Sequence, residues 1–216
     1  MEQYLQLLNY DVIQIKHPQT KKIINLYRTI ALRTFAFDDI IIEKYAIGGY
    51  VQSLANIDQD TYNWVDGKSK VFDKAVISDG TYTNHNALIF GNAIVKHSRV
   101  INYARISGDT LVADTLVTDL AEIRGKSKVA GSELYNSSLI FENASANDCK
   151  LYNGANLRGT SISNGCTLYD TSEVGGSANA ENCKLTGGAY FKDGIHLNEV
   201  IDRDLELKFS DPIQND

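Results

Sequence analysis

Seven side chains in this sequence have the chemistry to react or to hold a metal at neutral pH: His17, His85, His97 and His196, and Cys149, Cys166 and Cys183. An imidazole titrating near pH 6.5 can take up or release a proton in the physiological range, and a thiolate can attack or ligate. The two sets are arranged differently. The histidines share no interval, and a catalytic zinc would need three of them converging on one point. The cysteines stand 17 residues apart, and each is followed two places later by leucine. What any of these groups can do depends on the element that sets this interval.

That element is a repeat. Lines of 17 residues can be cut without insertion from Thr81 to Glu199: TYTNHNALIFGNAIVKH, SRVINYARISGDTLVAD, TLVTDLAEIRGKSKVAG, SELYNSSLIFENASAND, CKLYNGANLRGTSISNG, CTLYDTSEVGGSANAEN and CKLTGGAYFKDGIHLNE. A fixed period of this length is the signature of a solenoid. Within each line a small residue and, two places on, an aliphatic one recur three times, as in Ser98/Val100, Ala104/Ile106 and Thr110/Val112. Residues two apart share one face of a strand, so each pair points inward from one of three short strands around a triangular core.

The corners test the same register independently, because a chain turning every five or six residues needs backbone angles that Gly, Asn and Asp tolerate best. The first corner reads His85, Asn102, Asp119, Asn136, Asn153, Asp170, Gly187; the second reads Gly91, Gly108, Gly125, Glu142, Gly159, Gly176, Asp193. The third reads His97, Asp114, Gly131, Asp148, Gly165, Asn182, Glu199. With residues 63–80, which keep the pairs Ser69/Val71 and Ala75/Ile77, the pattern predicts about eight coils of 17–18 residues. At a strand spacing of about 4.8 Å, seven coils alone make a rod roughly 34 Å long. The fold class is all-β, a parallel β-helix. The third inward column thins from Val95, Val112 and Val129 to Ala146, Ser163 and Ala180, with Ile162 one place away, which predicts a distorted or flattened side near Ser163.

Composition sets bounds on function. A formal net charge of -6 disfavours binding nucleic acid through its phosphates. No apolar run approaches the roughly 18 residues of a membrane span, and MEQYLQLLNY has no signal-peptide pattern. The cysteines fall in the inward small-residue column, where free thiols serve as core residues; a reducing cytoplasm is the compartment this implies. Residues 1–9 read as an apolar or helical lead-in. From Asp11, two alternating runs around Pro18, Gln19 and Thr20 read as a β-hairpin that covers the open solenoid end. The chain thus divides into a hairpin cap and lead-in (1–62), the β-helix (63–199) and a C-terminal strand with an acidic tail (200–216), the strand carried by Ile201, Leu205 and Leu207.

These residues resemble the hexapeptide-repeat, left-handed β-helix superfamily, whose best-known members are bacterial acyltransferases. The likeness is closer to a bacterial and phage sub-branch with an N-terminal hairpin, a Gly-Gly-aromatic motif (Gly48, Gly49, Tyr50), an Asn-aliphatic pair (Asn56, Ile57) and a Trp entering the first coil (Trp64, Val65). The resemblance implies the left-handed winding and a homotrimer. It also implies, for an acyltransferase, a histidine general base close to a neighbouring subunit, for which His97 and His85 are the candidates. Both, however, occupy corner columns where other coils use Asn, Asp or Gly, and His17 and His196 read as a hairpin-turn residue and an outward residue of the last coil. Such enzymes usually interrupt their coils with a long loop and many carry a long C-terminal helix; neither can be read here. The zinc carbonic anhydrases of the same fold need a third histidine that the repeat does not place beside these two.

The outward columns hold a different kind of feature. Tyr135, Tyr152 and Tyr169 form a ladder on the first side, continued by Ile101 and flanked by Leu116 and Tyr82. An apolar strip of this kind is a contact surface, packed against another copy or the cap, or offered to a partner protein, since tyrosine is enriched at interfaces. Leu88, Phe90, Leu139, Phe141 and Tyr190 give the second side a patchier surface. The first expectation is therefore a non-enzymatic β-helix, without cofactor or metal, that presents a rigid face to a macromolecular partner; by analogy this could be a phage-encoded inhibitor of a host factor. The alternatives are a coenzyme-A-dependent acyltransferase using His97 or His85, and a small-nucleotide binder at intersubunit clefts.

Overall fold

The computed structural model of the 216-residue chain describes residues 3–203. Strand β1 (Leu5–Lys16) and strand β2 (Ile23–Ala31) form the N-terminal hairpin, and a smaller hairpin joins β3 (Phe35–Phe37) to β4 (Ile40–Ile42). Strand β5 (Ile47–Val51) then enters the solenoid, where Tyr50 and Val51 pair in parallel with Lys70 and Val71. From there the chain winds through three parallel sheets. The first face is a 9-stranded sheet from Trp64–Val65 to Val200–Asp202, and the third an 8-stranded sheet from Val76–Ser78 to Ile195–Leu197. The second face runs from β5 to Tyr190–Phe191 and is extended by antiparallel β2 and β1 into an 11-stranded sheet. The result is a parallel β-solenoid of about nine turns, one more than the repeat alone indicates. The extra turn is the one that β5 opens; its spacing to the next rung is 20 residues, so the 17-residue period does not reveal it.

The corner residues behave as their chemistry requires. All but two of the twenty-one have positive φ, from 41° at His97 to 90° at Gly108. The two exceptions belong to the last coil. There Ala180 pairs with His196, not with Leu197, and the positive angles fall on Gly194 and Asn198 in place of Asp193 and Glu199. One residue is missing from the second corner of that coil, which moves everything after it by one place. His196 is consequently turned inward, stacked 3.7 Å from the Phe191 ring, while Ile195 and Leu197 are exposed. The expected outward position of His196 is thus corrected. Residues 204–216, including Leu205 and Leu207, lie outside the described residues.

The inward pairs form one continuous core, and its layers keep their volume by exchange. In the coil 98–114 the inward set is Ser98, Val100, Ala104, Ile106, Thr110 and Val112; in the coil 149–165 it is Cys149, Leu151, Ala155, Leu157, Ser161 and Ser163. The first face grows from Ser and Val to Cys and Leu as the third shrinks from Val to Ser. Interiors are close-packed, so such compensation is needed for the coils to stay congruent. They do. Ser145, Ile162 and Asn179 pair rung to rung without a slip, so the ladder around Ser163 is not distorted as the thinning column predicts. The Cys149 thiol fills the space, donating to the Ser163 carbonyl at 3.2 Å, and Ile162 simply faces outward.

At the N-terminal end the hairpin does two jobs. Tyr4, Leu5, Ala31 and Phe35 join the main core around Trp64, closing the end of the rod. Leu5–Asn9 is already strand, not a helical lead-in. The outer half of the hairpin folds over the second face, where Leu26 and Tyr50 bury Phe72 and Phe90 with Ile13, Ile15, Ile24 and Leu88 packed around them. Leu88 and Phe90 are therefore covered by the chain's own N-terminus and are not a free surface. The Gly-Gly motif has a steric reason at this junction: a Cβ on Gly48 would lie 2.6 Å from the Val65 carbonyl, and one on Gly49 2.7 Å from that of Ser69.

Candidate functional site

His97 stands at the third corner, at the foot of the smaller hairpin. Its Nδ1 lies 2.7 Å from Asp114 Oδ1, one rung on, and its Nε2 3.7 Å from Asp38 Oδ1 at the tip between β3 and β4. The next residue of that tip, Asp39, is ion-paired with Arg99. His97, Asp114, Asp38 and Arg99, with Ser98 and Leu116, line a cleft of about 280 Å³. The hydrogen bond to Asp114, reinforced by the charge of Asp38, raises the histidine's pKa above its ordinary 6.5. Carboxylates on both nitrogens favour the imidazolium, the form that cannot act as a base. The hydroxyls beside it are committed as well. Ser98 Oγ donates to the Lys96 carbonyl at 2.6 Å and accepts from Thr115 N–H, and Thr115 Oγ1 donates to the Ala113 carbonyl at 2.6 Å.

The structure does not gather the other histidines here. His85 is exposed at the first corner with φ 62°, its backbone N–H held by the Asn84 side chain. His17 lies in the hairpin turn where the sequence places it, but it is only 4% exposed, which the sequence did not indicate. Its ring sits edge-on to Phe72 and Phe90, its Nδ1 accepts from the N–H groups of Gln19 and Thr20, and its Nε2 lies 2.8 Å from Asp73 Oδ2. Two donors aimed at Nδ1 leave the proton on Nε2, so the ring donates to Asp73. An alternating polar turn carries no signal for such burial.

The tyrosines stack as their spacing requires. The rings of Tyr135 and Tyr152 are 5.0 Å apart and those of Tyr152 and Tyr169 4.8 Å apart, within 8° of parallel. Lys184 Nζ lies 5.7 Å from the Tyr169 ring, and Tyr135 Oη donates to Glu133, which also pairs with Lys150. The bond to Glu133 pushes the Tyr135 phenol up to about 12. All three rings are half-buried. The flanking residues do not extend this strip. Thr118 separates Ile101 from Tyr135 in the column, and Leu116 turns toward the His97 cleft. Tyr82 lies near the N-terminal end, where it donates to Asp66 and accepts from Asn84; burial and that carboxylate raise its pKa.

The three cysteines are free and buried. The Cys149 thiol is pushed up by its hydrogen bond to the Cys166 sulfur and by burial, and that of Cys183 by burial. Among the described residues no group of three or more His, Cys, Asp or Glu side chains is placed to hold a metal ion, and no helix is long and apolar enough to cross a membrane. No protein-family model matches the chain, and comparison with curated proteins gives no significant match.

Proposed function

We propose that this protein is a non-enzymatic β-helix of the hexapeptide-repeat type, wound left-handed, that works as a homotrimer and presents a rigid lateral face to a protein partner, with inhibition of a host factor as its specific form. The observation that carries the reading is the stacked ladder of Tyr135, Tyr152 and Tyr169 on an uninterrupted face. Tyrosines held by stacking lose little side-chain entropy on contact, which is what recognition surfaces require. The assembly has support in the rung positions. The third face carries a shallow hollow of about 210 Å³ with an apolar floor that includes Leu111, Ala113 and Ala130 and a rim that includes Lys128, Asn147 and Asn164. It overlaps the ladder in height along the rod, as a cyclic contact about an axis parallel to the rod needs.

Native mass spectrometry of the gently purified protein, with and without Tyr135→Ser, Tyr152→Ser and Tyr169→Ser together, tests the reading. A trimer or a fixed-ratio protein complex that the triple variant loses while keeping its β-sheet circular dichroism is expected. A wild-type chain that is monomeric and alone, or a complex indifferent to the ladder, would sink it.

A second reading, acyl transfer from coenzyme A with His97 as base, draws support from the His97–Asp114 pair beside a cleft. The second carboxylate at Asp38 and the occupied hydroxyls weigh against it. His97→Asn with His85→Asn separates the two readings: acyl transfer should vanish, whereas partner binding should stay within about twofold.

A further inference from the structure

The second face carries outward arginines in two neighbouring columns, Arg105 beside Glu122 in one and Arg124 and Arg158 in the other, and they are treated unequally. Arg158 is ion-paired through Nε with Glu173 on the next rung. The equivalent diagonal neighbour of Arg124 is Leu139, so Arg124 has its guanidinium 5.2 Å from the Phe141 ring instead. Arg105 sits above Glu122 in the same column and against Phe90, yet among the described residues neither Arg105 nor Arg124 forms an ion pair. The Nε of Arg105 is buried and has no hydrogen-bond partner.

Both guanidiniums line one cleft of about 350 Å³, with Ser107 and Glu122 on its floor and Pro18 and Gln19 of the hairpin turn as its wall. That volume is within the range of small-ligand sites. The wall is fixed in place, since His17 anchors the turn beside it through Asp73. A buried N–H left without an acceptor is costly, and a planar guanidinium fork matches an oxyanion with two parallel hydrogen bonds. Glu122 offsets one of the two positive charges and offers an acceptor to a hydroxyl or amine on the same ligand.

We propose that the cleft between Arg105 and Arg124, walled by Pro18 and Gln19, is a binding site for the oxyanion group of a small molecule, a phosphate or a carboxylate. The site lies on a different face from the tyrosine ladder and does not rest on the reading of that ladder. Ser107 and the corner glycines Gly108 and Gly125 leave the floor low enough for the anion to reach both arginines.

The test is a titration of the full chain followed by ¹H–¹⁵N NMR, including the arginine Nε–H signals, with inorganic phosphate in one arm and acetate in the other at constant ionic strength. Saturable shifts of the Arg105 Nε–H and of the Ser107 and Gly108 amides are expected in at least one arm, and the arm that saturates at lower concentration identifies the oxyanion. Arg124→Gln, a change at an exposed side chain, should weaken binding about tenfold; Arg158→Gln, whose guanidinium is already paired, should change it less than about twofold. No saturation by either anion up to about 10 mM, or binding that survives Arg124→Gln unchanged, would overturn the assignment.

Discussion

His17 Nε2 donates to Asp73 Oδ2 across 2.8 Å, joining the turn of the N-terminal hairpin to a second-corner residue 56 positions later. Asp73 is itself at positive φ, and the same carboxylate oxygen accepts the Gly91 N–H at 3.0 Å. One carboxylate thus holds both the cap and the next coil. His17→Ala leaves Asp73 with one donor fewer and uncovers the Phe72 and Phe90 rings. The expected loss is about 1–3 kcal/mol, read from denaturant unfolding, and a double-mutant cycle with Asp73→Asn should give a coupling of at least about 0.5 kcal/mol. Coupling indistinguishable from zero would mean that apolar packing alone seats the hairpin.

This anchor also marks where the sequence stops speaking. The corners were legible because Gly, Asn and Asp report a backbone angle directly, and Asn102, Asp119 and Asn136 each carry it. The inward pairs were legible because a period of two within a period of 17 can arise in few ways. The tyrosine ladder followed from the same arithmetic. Leu88 and Phe90 were misleading because their cover comes from Ile13, Ile15, Ile24 and Leu26, far earlier in the chain and with no periodic relation to them. For the same reason Asp38 gave no sign that it would approach His97. A one-residue deletion near Asp193 was invisible because either register leaves turn-forming residues at the corner, and only the pairing of Ala180 with His196 decides it.

The exchange of volume between faces predicts how the core responds to substitution. Ser163→Val adds two methyl groups and removes a hydroxyl in a layer that Cys149 and Leu151 already fill, so it should destabilise by about 1–3 kcal/mol. The buried Ser163 Oγ has no hydrogen-bond partner, so its loss offsets only part of that. Combining Ser163→Val with Cys149→Ser and Leu151→Val rewrites the layer on these two faces as that of Ser98, Val100 and Val112. The triple variant should regain most of the lost stability. If it melts as low as the single variant, layer volume is not what keeps the coils congruent.

Protonation of His97 should stabilise the small hairpin. Its folded pKa is raised above 6.5 by the bond to Asp114 and by Asp38. The contribution is therefore complete below the unfolded value near 6.5 and is lost as pH rises through the higher folded value. Following the His97 Hε1 resonance should show a midpoint above 6.5 that moves down in Asp114→Asn, with a smaller move in Asp38→Asn. A midpoint at or below 6.5 in the wild type would remove the ion pair from the description of this corner.

The second-corner glycines should be the least replaceable residues of the rod. Gly108 has φ 90°, and a Cβ there would lie 2.9 Å from Gly125 N and closer still to Gly125 O on the next rung. Both objections are backbone ones, so no rotamer change relieves them. Left-handed backbone costs a non-glycine residue about 1 kcal/mol, and displacing a neighbouring rung adds to this because each coil rests on the next. Gly108→Ala should thus lower stability by at least about 2 kcal/mol in chemical unfolding. Glu142 occupies the same column at φ 63°, with its side chain accepting the Gly159 N–H at 2.7 Å. There the reverse change, Glu142→Gly, relieves the angle but gives up that bond, and the two effects should cancel to within about 1 kcal/mol. Equal losses at the two positions would show that corner geometry, and not rung-to-rung approach, sets the demand for glycine.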